Sequence, residues 1–281
     1  MNVLKISRVG IVAKPNSEEA ARVALDAGRF LSSNGIEVVH YTGVPKVDGF
    51  EWNTPEVMSA DLVVVVGGDG TIMRTAQVVG STPILGIKVG ARGFLCETIP
   101  EEAAETLTRV LDGKTYLEYK TRLSVVFKGS PLPDALNEVL VTSARPSKII
   151  RFSVSANGKH IHRGMADGVI VSTTTGATAY ALSAGGPLID PDLDVIELVF
   201  VCPLHHGVRP VILPSSARVE ISLLPGSSGG LLILDGQTSV DLDEGGQVFV
   251  ERSRSPAVFL RTAPAEFYEK VRKSLKMGFE A

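Results

Sequence analysis

Cysteine, aromatic residues and an excess of one charge are all scarce in this chain of 281 residues. Its two cysteines, Cys96 and Cys202, are too few and too far apart for a disulfide framework or a metal knuckle. Both sit among apolar neighbours, so the expectation is two buried thiols in a reducing compartment. Aromatics make up 6%, with a single tryptophan, Trp52. The 28 basic and 31 acidic side chains leave a net charge of -3 with no long basic run, which argues against general nucleic-acid binding. No apolar stretch reaches the length of a membrane span, and MNVLKISRVGIVAKP is too polar for a signal peptide. A cytoplasmic protein is expected. GxxxxGK, HExxH and GxGxxG are absent, and no internal repeat is found.

What is present is an ordinary globular balance, 44% hydrophobic and 21% charged, with length for one large domain or two smaller ones. The chain is organised around residues 62–71, LVVVVGGDGT. Five consecutive aliphatic residues without alternation fit a strand buried on both faces. Gly67, Gly68 and Gly70 then surround one carboxylate, Asp69, before Thr71 and a helix-spaced IMRTAQVV. Strand, glycine turn and helix start form the ligand crevice of an open α/β sheet, with backbone N–H groups free to approach an anion. A carboxylate there repels phosphate. Asp69 is reasonable only if it binds a cation, orients a hydroxyl or accepts its proton.

Residues 3–12 carry a strand signal, clearest at VGIVAK. Asn16 with Glu19 has capping-box spacing, Val23, Ala27, Phe30 and Leu31 make an apolar stripe, and Gly35 is placed to end the helix. Residues 36–40 return as a strand, which starts a parallel sheet. Residues 42–55 read as loop, with Trp52 packed back on the core. A strand at 83–89 leads into a second glycine turn, Gly90, Arg92 and Gly93, and a helix follows at 100–111. From about Tyr116 the segments shorten into strands at 118–127, 135–142, 149–156, 169–172, 195–201, 217–223, 231–234 and 247–252. Asn157-Gly158 and Asp235-Gly236 are hairpin signals. Residues 264–277 read as a terminal helix. The expected fold class is α+β in two domains. An N-terminal α/β Rossmann-like parallel-sheet domain spans 1–114 plus 256–281, with the last helix returning to it. A mostly β domain spans 115–255.

Beyond the first turn, three clusters can do chemistry. Asn137-Glu138 places an amide beside an acid, a pair suited to ribose hydroxyls. His162-Arg163, Asp167 and the Thr-rich stretch to Tyr180 are dense in small and polar residues, and the Thr173, Thr174, Thr175 and Thr178 hydroxyls suit phosphate or sugar. His205-His206 are adjacent without further ligands at metal spacing, so a structural or substrate-facing loop is expected and no metal site.

Together these motifs resemble the ATP-NAD kinase family. GGDGT at 67–71 resembles its glycine-rich phosphate motif, Asn137-Glu138 its second motif, and DGVIVSTTTGATAYALSAGGPLIDP at 167–191 its third. Arg209-Pro210 and LDGQ at 234–237 follow in order. GGDGT alone also occurs in lipid, sphingosine and phosphofructokinase-type kinases, so the combination carries the resemblance. The family pattern TPTGSTAY is altered here, with Thr174 in place of proline and Ala177 in place of serine.

The resemblance implies transfer of the ATP γ-phosphoryl group, with Mg2+, to the 2′-hydroxyl of the adenosine ribose of NAD. Gly68, Gly70 and Thr71 would hold donor phosphates, with Arg92 facing phosphate from the second turn. Asp69 would orient the hydroxyl and take its proton late. Asn137 and Glu138 would hold NAD ribose or adenine, and Asp167 the nicotinamide ribose or amide. Tyr180 and Ser183 would contact the adenine-ribose region, with Thr178 and Gln237 completing the set. His162 and Arg163 would lie near the acceptor pyrophosphate, from across a subunit boundary if the protein is the homodimer or homotetramer its relatives suggest. A non-catalytic dinucleotide sensor and a lipid or sugar kinase with the same loop are the alternatives. NAD binding without turnover would mark the sensor. A hydride-transfer domain is disfavoured, because its glycine fingerprint belongs after the first strand, where VAKPN stands.

Overall fold

The computed structural model describes residues 5–40, 51–52, 59–90, 93–227, 229–264 and 267–275. They form two compact units, residues 1–120 with 257–281 and residues 121–256. The α+β class is as expected.

The first unit is built on a seven-stranded sheet of order β3-β2-β1-β4-β5-β19-β6. Its strands are β1 (Arg8–Ala13), β2 (Glu37–His40), β3 (Glu51–Trp52), β4 (Leu62–Gly67), β5 (Ile84–Lys88), β6 (Tyr116–Lys120) and β19 (Ala257–Arg261). All neighbours are parallel except β19 and β6. Leu62 to Val66 are each 0% exposed, which explains their unbroken aliphatic run at the sheet centre. Two helices, α1 (Glu18–Ser33) and α3 (Ala103–Leu111), pack with Leu62, Val64, Val66, Leu85 and Ile87 on one face. Helix α2 (Asp69–Val79) lies on the other face, where Ile72 meets Gly86. Chain order runs β1, β2, β3 outward, then returns beside β1 as β4. The sheet's switch point therefore lies between the carboxyl ends of β1 and β4, where such sheets bind ligands.

Helix α1 opens one residue later than its spacing suggests. Ser17 is the N-cap, its hydroxyl accepting the Ala20 N–H at 3.3 Å, while Asn16 takes a left-handed conformation at φ 56°. At the other end Gly35 (φ 80°) donates to Ser32 O and Ile36 to Leu31 O, the paired bonds of a Schellman stop. Trp52 belongs to a two-residue strand beside β2 where a loop was expected. The last helix, α5 (Phe267–Leu275), joins the first unit, with Val271 2% exposed and Lys270 Nζ 3.5 Å from Phe94 O.

The second unit stacks two antiparallel six-stranded sheets. One has the order β11-β10-β15-β18-β7-β8 and the other β14-β13-β12-β9-β16-β17. The first comprises β7 (Leu123–Phe127), β8 (Ser130–Ala135), β10 (Ile150–Ala156), β11 (Lys159–Ala166), β15 (Val219–Leu223) and β18 (Gln247–Arg252). The second comprises β9 (Glu138–Ser143), β12 (Gly168–Thr173), β13 (Val195–Val201), β14 (Val211–Pro214), β16 (Gly230–Leu234) and β17 (Thr238–Leu242). Alternate residues of both sheets share one core, Phe152, Val154, Val169, Val171, Leu198 and Ile221 among them. On the outer face of the second sheet, Ile170, Val199 and Val201 pack on Ala181 of the short helix α4 (Tyr180–Ser183). The stretch 118–127 divides into β6 and β7, in different units. The Asn157-Gly158 hairpin forms as expected, with both residues at positive φ.

Replacing Ser17 with Ala removes the α1 cap. Urea unfolding is expected to show a loss of about 1 kcal/mol.

Candidate functional site

In the first unit, β4 ends at Gly67 and α2 begins at Asp69, with Gly68 as an extended N-cap. A Cβ on Gly67 would lie 2.6 Å from Thr71 Oγ1 and 3.3 Å from Lys14 Cβ, so glycine is required by close approach. Thr71 N–H bonds back to Gly68 O at 3.0 Å, while the N–H groups of Asp69 and Gly70 open the helix without intrahelical partners. The half-buried Asp69 carboxylate accepts Phe94 N–H at 2.8 Å on one oxygen and Leu95 N–H at 3.0 Å on the other. This adds a role to the three expected of it: the carboxylate ties the two glycine turns together. One lone pair on each oxygen remains for a further partner. Arg92 lies outside the described residues.

The tied segment is held from behind as well. Arg261, 2% exposed, donates to Leu95 O at 2.9 Å, Glu118 at 2.7 Å and Glu97 at 3.2 Å. Burial and then the Asp69 charge push the Cys96 thiol up to about 12, so it stays protonated beside Gly67 O. Cys96 is buried as expected. Cys202 is exposed, contrary to expectation. Strand β13 ends at Val201, and Cys202 turns out of the sheet at φ 45°. It lines a cavity of about 500 Å3 with Gly185, Phe200, His206 and Arg209. Arg209 Nη1 is bound to His206 O and Val208 O.

In the second unit, Asp235 is the hidden centre. It is 3% exposed and accepts the N–H groups of Leu136 (2.7 Å), Asn137 (2.7 Å) and Glu138 (3.0 Å). Its hairpin with Gly236 was legible; that its carboxylate would hold the Asn137-Glu138 turn was not. Asn137 O in turn accepts Thr173 N–H at 2.9 Å and Ser172 Oγ at 3.2 Å. A Cβ on Gly176 would sit 2.3 Å from Asn137 O, so the Thr-rich turn lies directly on this pair. Asn137 Oδ1 and Glu138 Oε2 are buried without partners. Burial and then the Asp235 charge raise the Glu138 carboxyl to about 8. Thr178 bonds to Thr175 O in the 3-10 turn Gly176–Thr178, Tyr180 and Ser183 are exposed beside it, and Gln237 closes the Asp235 hairpin through Leu234 O. The structure therefore gathers Asn137, Glu138, Thr178, Tyr180, Ser183 and Gln237 at one end of the second sheet.

It does not gather the rest with them. Asp167 precedes β12 and Thr173 ends it, a separation of about 20 Å at the usual rise of a strand. His162 and Arg163 lie on the edge strand β11. His162 packs on Phe200 (5.3 Å between centroids) and Phe152 (5.8 Å), and burial, then His205 and His160, lower its pKa. Arg163 is exposed. No three His, Cys, Asp or Glu side chains cluster as metal ligands among the described residues, and no helix there is long and apolar enough to cross a membrane.

A glycine turn at the switch point of a parallel sheet, continued into an antiparallel β unit with a buried acid-amide turn, defines a nucleotide-binding α/β protein. Residues 9–115 match the ATP-NAD kinase N-terminal domain and residues 136–262 the ATP-NAD kinase C-terminal domain. The chain is 38% identical to the NAD kinase of Methanosarcina mazei over 97% of its length and 95% of that protein's. It is 34% identical to the NAD kinase of Methanothermobacter thermautotrophicus over 96% and 97%. A solved NAD kinase from Archaeoglobus fulgidus in complex with ATP superposes with a TM-score of 0.80 at 31% identity, over 94% of this chain and 98% of that one. A yeast NADH kinase complexed with NADH shares the fold, with a TM-score of 0.89 at 23% identity over 98% and 89%. The chain belongs to the ATP-NAD kinase family.

Two buried carboxyls have raised folded-state values, Glu138 at about 8 and Glu197 at about 7. A raised value favours the protonated native state, so their stabilisation is complete below about pH 4.5 and is lost as pH rises through 7 to 8. The melting temperature is expected to fall by at least about 3 °C between pH 6 and 9, and Glu138→Gln to flatten that fall in a thermal scan.

Proposed function

We propose that the protein transfers the γ-phosphoryl group of Mg2+-bound ATP to the 2′-hydroxyl of the adenosine ribose of NAD, giving NADP and ADP. The observation that carries this reading is the Asp69 carboxylate, held at the switch-point turn with a lone pair open on each oxygen. The 2′-oxygen attacks the γ-phosphorus, the bond to the β-phosphate bridging oxygen breaks, and the hydroxyl proton passes to Asp69. Carboxylates are weak bases toward alcohols, so Asp69 contributes chiefly by orienting the hydroxyl, with the proton moving late. The N–H groups of Asp69 and Gly70, with Gly68 and Thr71, receive donor phosphate. The cation arrives with the phosphates and offsets their charge. One carboxylate with spare lone pairs fits a cation held mainly by its substrate.

The β unit contributes the NAD-binding residues. Asn137 and Glu138 hold ribose or adenine, supported by their two buried oxygens without partners. Thr178, Tyr180, Ser183 and Gln237 serve the adenosine side, and Arg92 faces phosphate. His162, Arg163 and Asp167 serve the pyrophosphate and nicotinamide ribose of a neighbouring copy's NAD in a homodimer or homotetramer. The distance of about 20 Å between Asp167 and the Asn137 cluster supports that assignment. Two free cysteines, one of them exposed, support a cytoplasmic location.

Purified protein with NAD, ATP and Mg2+ is expected to form NADP in a coupled assay. Asp69→Asn is expected to lower turnover by about 10²–10⁴-fold while NAD still binds. Asparagine replaces one of the two accepting oxygens with an NH2 group, so the variant's melting curve is recorded alongside. NAD binding with no NADP from the unsubstituted protein would overturn the kinase reading.

A further inference from the structure

Glu197 is a buried acid that the proposed reaction does not use. It lies mid-strand in β13, is 0% exposed, and neither carboxyl oxygen has a hydrogen-bond partner. Strand register places it in a row, Glu138–Ser172–Glu197–Ile212, across β9, β12, β13 and β14. Directly paired residues of antiparallel strands share a face. For this row it is the outer face, where Ala181 packs, rather than the face toward the sandwich core.

The polar atom placed beside the Glu197 carboxyl is an acceptor, the Ala181 carbonyl oxygen. A Cβ on Gly186 would lie 2.8 Å from Glu197 Oε2 and 2.8 Å from Ala181 O, so carboxyl and carbonyl border the same small space. Ser172, its neighbour on the row, shares its one hydroxyl proton between Asn137 O at 3.2 Å and Thr173 O at 3.1 Å. Ala181 O already accepts Gly186 N–H at 2.9 Å and has a second lone pair. Ile212 on β14 is apolar. A carboxylate here borders the Ala181 carbonyl with no donor bonded to either of its oxygens, whereas a carboxylic acid can donate to Ala181 O across the space beside Gly186. The one titratable group on the same row is Glu138, two strands away. Burial raises Glu197 to about 7.

We propose that Glu197 is a positioning residue that, in its neutral acid form, clamps the 176–186 turn to the second sheet and so places Thr178, Tyr180 and Ser183 for NAD. Loss of its proton puts a charge beside the Ala181 carbonyl beneath α4 and loosens that turn. This rests on the reading that those three residues contact NAD. NAD affinity then depends on a proton carried by a group that never touches the nucleotide.

The test is equilibrium NAD binding between pH 6 and 9, with NADP formation measured in parallel, for the parent protein, Glu197→Gln and Glu197→Met. The parent's dissociation constant is expected to rise by up to about tenfold per pH unit above 7, because the competent fraction falls by that factor. Glu197→Gln keeps a neutral donor and is expected to match the parent at pH 6 and to remove the part of this limb that begins near pH 7, leaving the later part set by Glu138 near 8. Glu197→Met keeps the length without a donor and is expected to bind NAD several-fold more weakly at every pH, with kcat little changed. A protonated-carboxyl infrared band at pH 6 that loses the Glu197 contribution in Glu197→Gln, with the Glu138 contribution remaining, supports the assignment independently of turnover. The inference is overturned if Glu197→Gln keeps the parent's pH limb, or if Glu197→Met binds like Glu197→Gln, which is the signature of packing alone. NAD binding that follows the expected pattern without NADP formation would sink the kinase reading and leave Glu197 standing; no NAD binding at any pH would sink both.

Discussion

A carboxylate that accepts backbone N–H groups organises the key turn in each unit. Asp69 receives Phe94 and Leu95; Asp235 receives Leu136, Asn137 and Glu138. Bonds from N–H groups to a charged acceptor are worth more than neutral ones, and they fix the backbone rather than a flexible side chain. In the first unit this lets two glycine turns keep one geometry although glycine supplies no side chain to hold them. Arg261 completes the arrangement by taking the carbonyl of the same Leu95 whose N–H reaches Asp69. In the second unit the same device fixes the Asn137-Glu138 backbone, while Asn137 Oδ1 and Glu138 Oε2 stay buried without partners.

The reaction needs a rigid acceptor for a hydroxyl and a row of N–H groups for phosphate, close together although they favour opposite charges. In the proposed mechanism the switch-point turn supplies both. Tying both Asp69 oxygens to amides tempers the carboxylate's repulsion of phosphate. The family pattern is altered at Thr174 and Ala177, yet the turn they belong to is seated firmly. Ala177 is 0% exposed and Thr174 8%, and Gly176 rests on Asn137 O. A serine hydroxyl at position 177 would be enclosed, so its absence here costs little in the architecture of the turn.

Much of this was legible in the sequence, for reasons that differ by element. The central strand β4 is buried on both faces and announces itself as LVVVV. The interior strands of the β unit were legible in the same way, through compact apolar runs or alternation. The strands of that unit that escaped notice, β8, β11, β14 and β17, are the four edges of its two sheets. Edge strands have one neighbour and tolerate proline, so SPLPDA reads as a turn although it pairs with β7. HIHRGM on β11 reads as a ligand cluster because its exposed face is polar, whereas strand geometry sends His162 and Arg163 to opposite sides. The Asp69 turn was legible as a site. Its link to Phe94 and Leu95 was not, because a contact across 25 residues leaves no periodic trace. Glu197 was invisible for a related reason: one acid inside DVIELVFV looks like an interruption of a strand and carries no sign of what lies above it.

The prolines of β8 have an effect on the company the protein keeps. Pro131 and Pro133 both lie on the outermost strand of their sheet, and the pairing with β7 shifts register just past Leu132. A foreign strand seeking to zip onto that edge finds two donors missing within one short segment. The sheet therefore terminates chemically rather than by being capped. That border is closed to fibrous stacking even while it stands open to water.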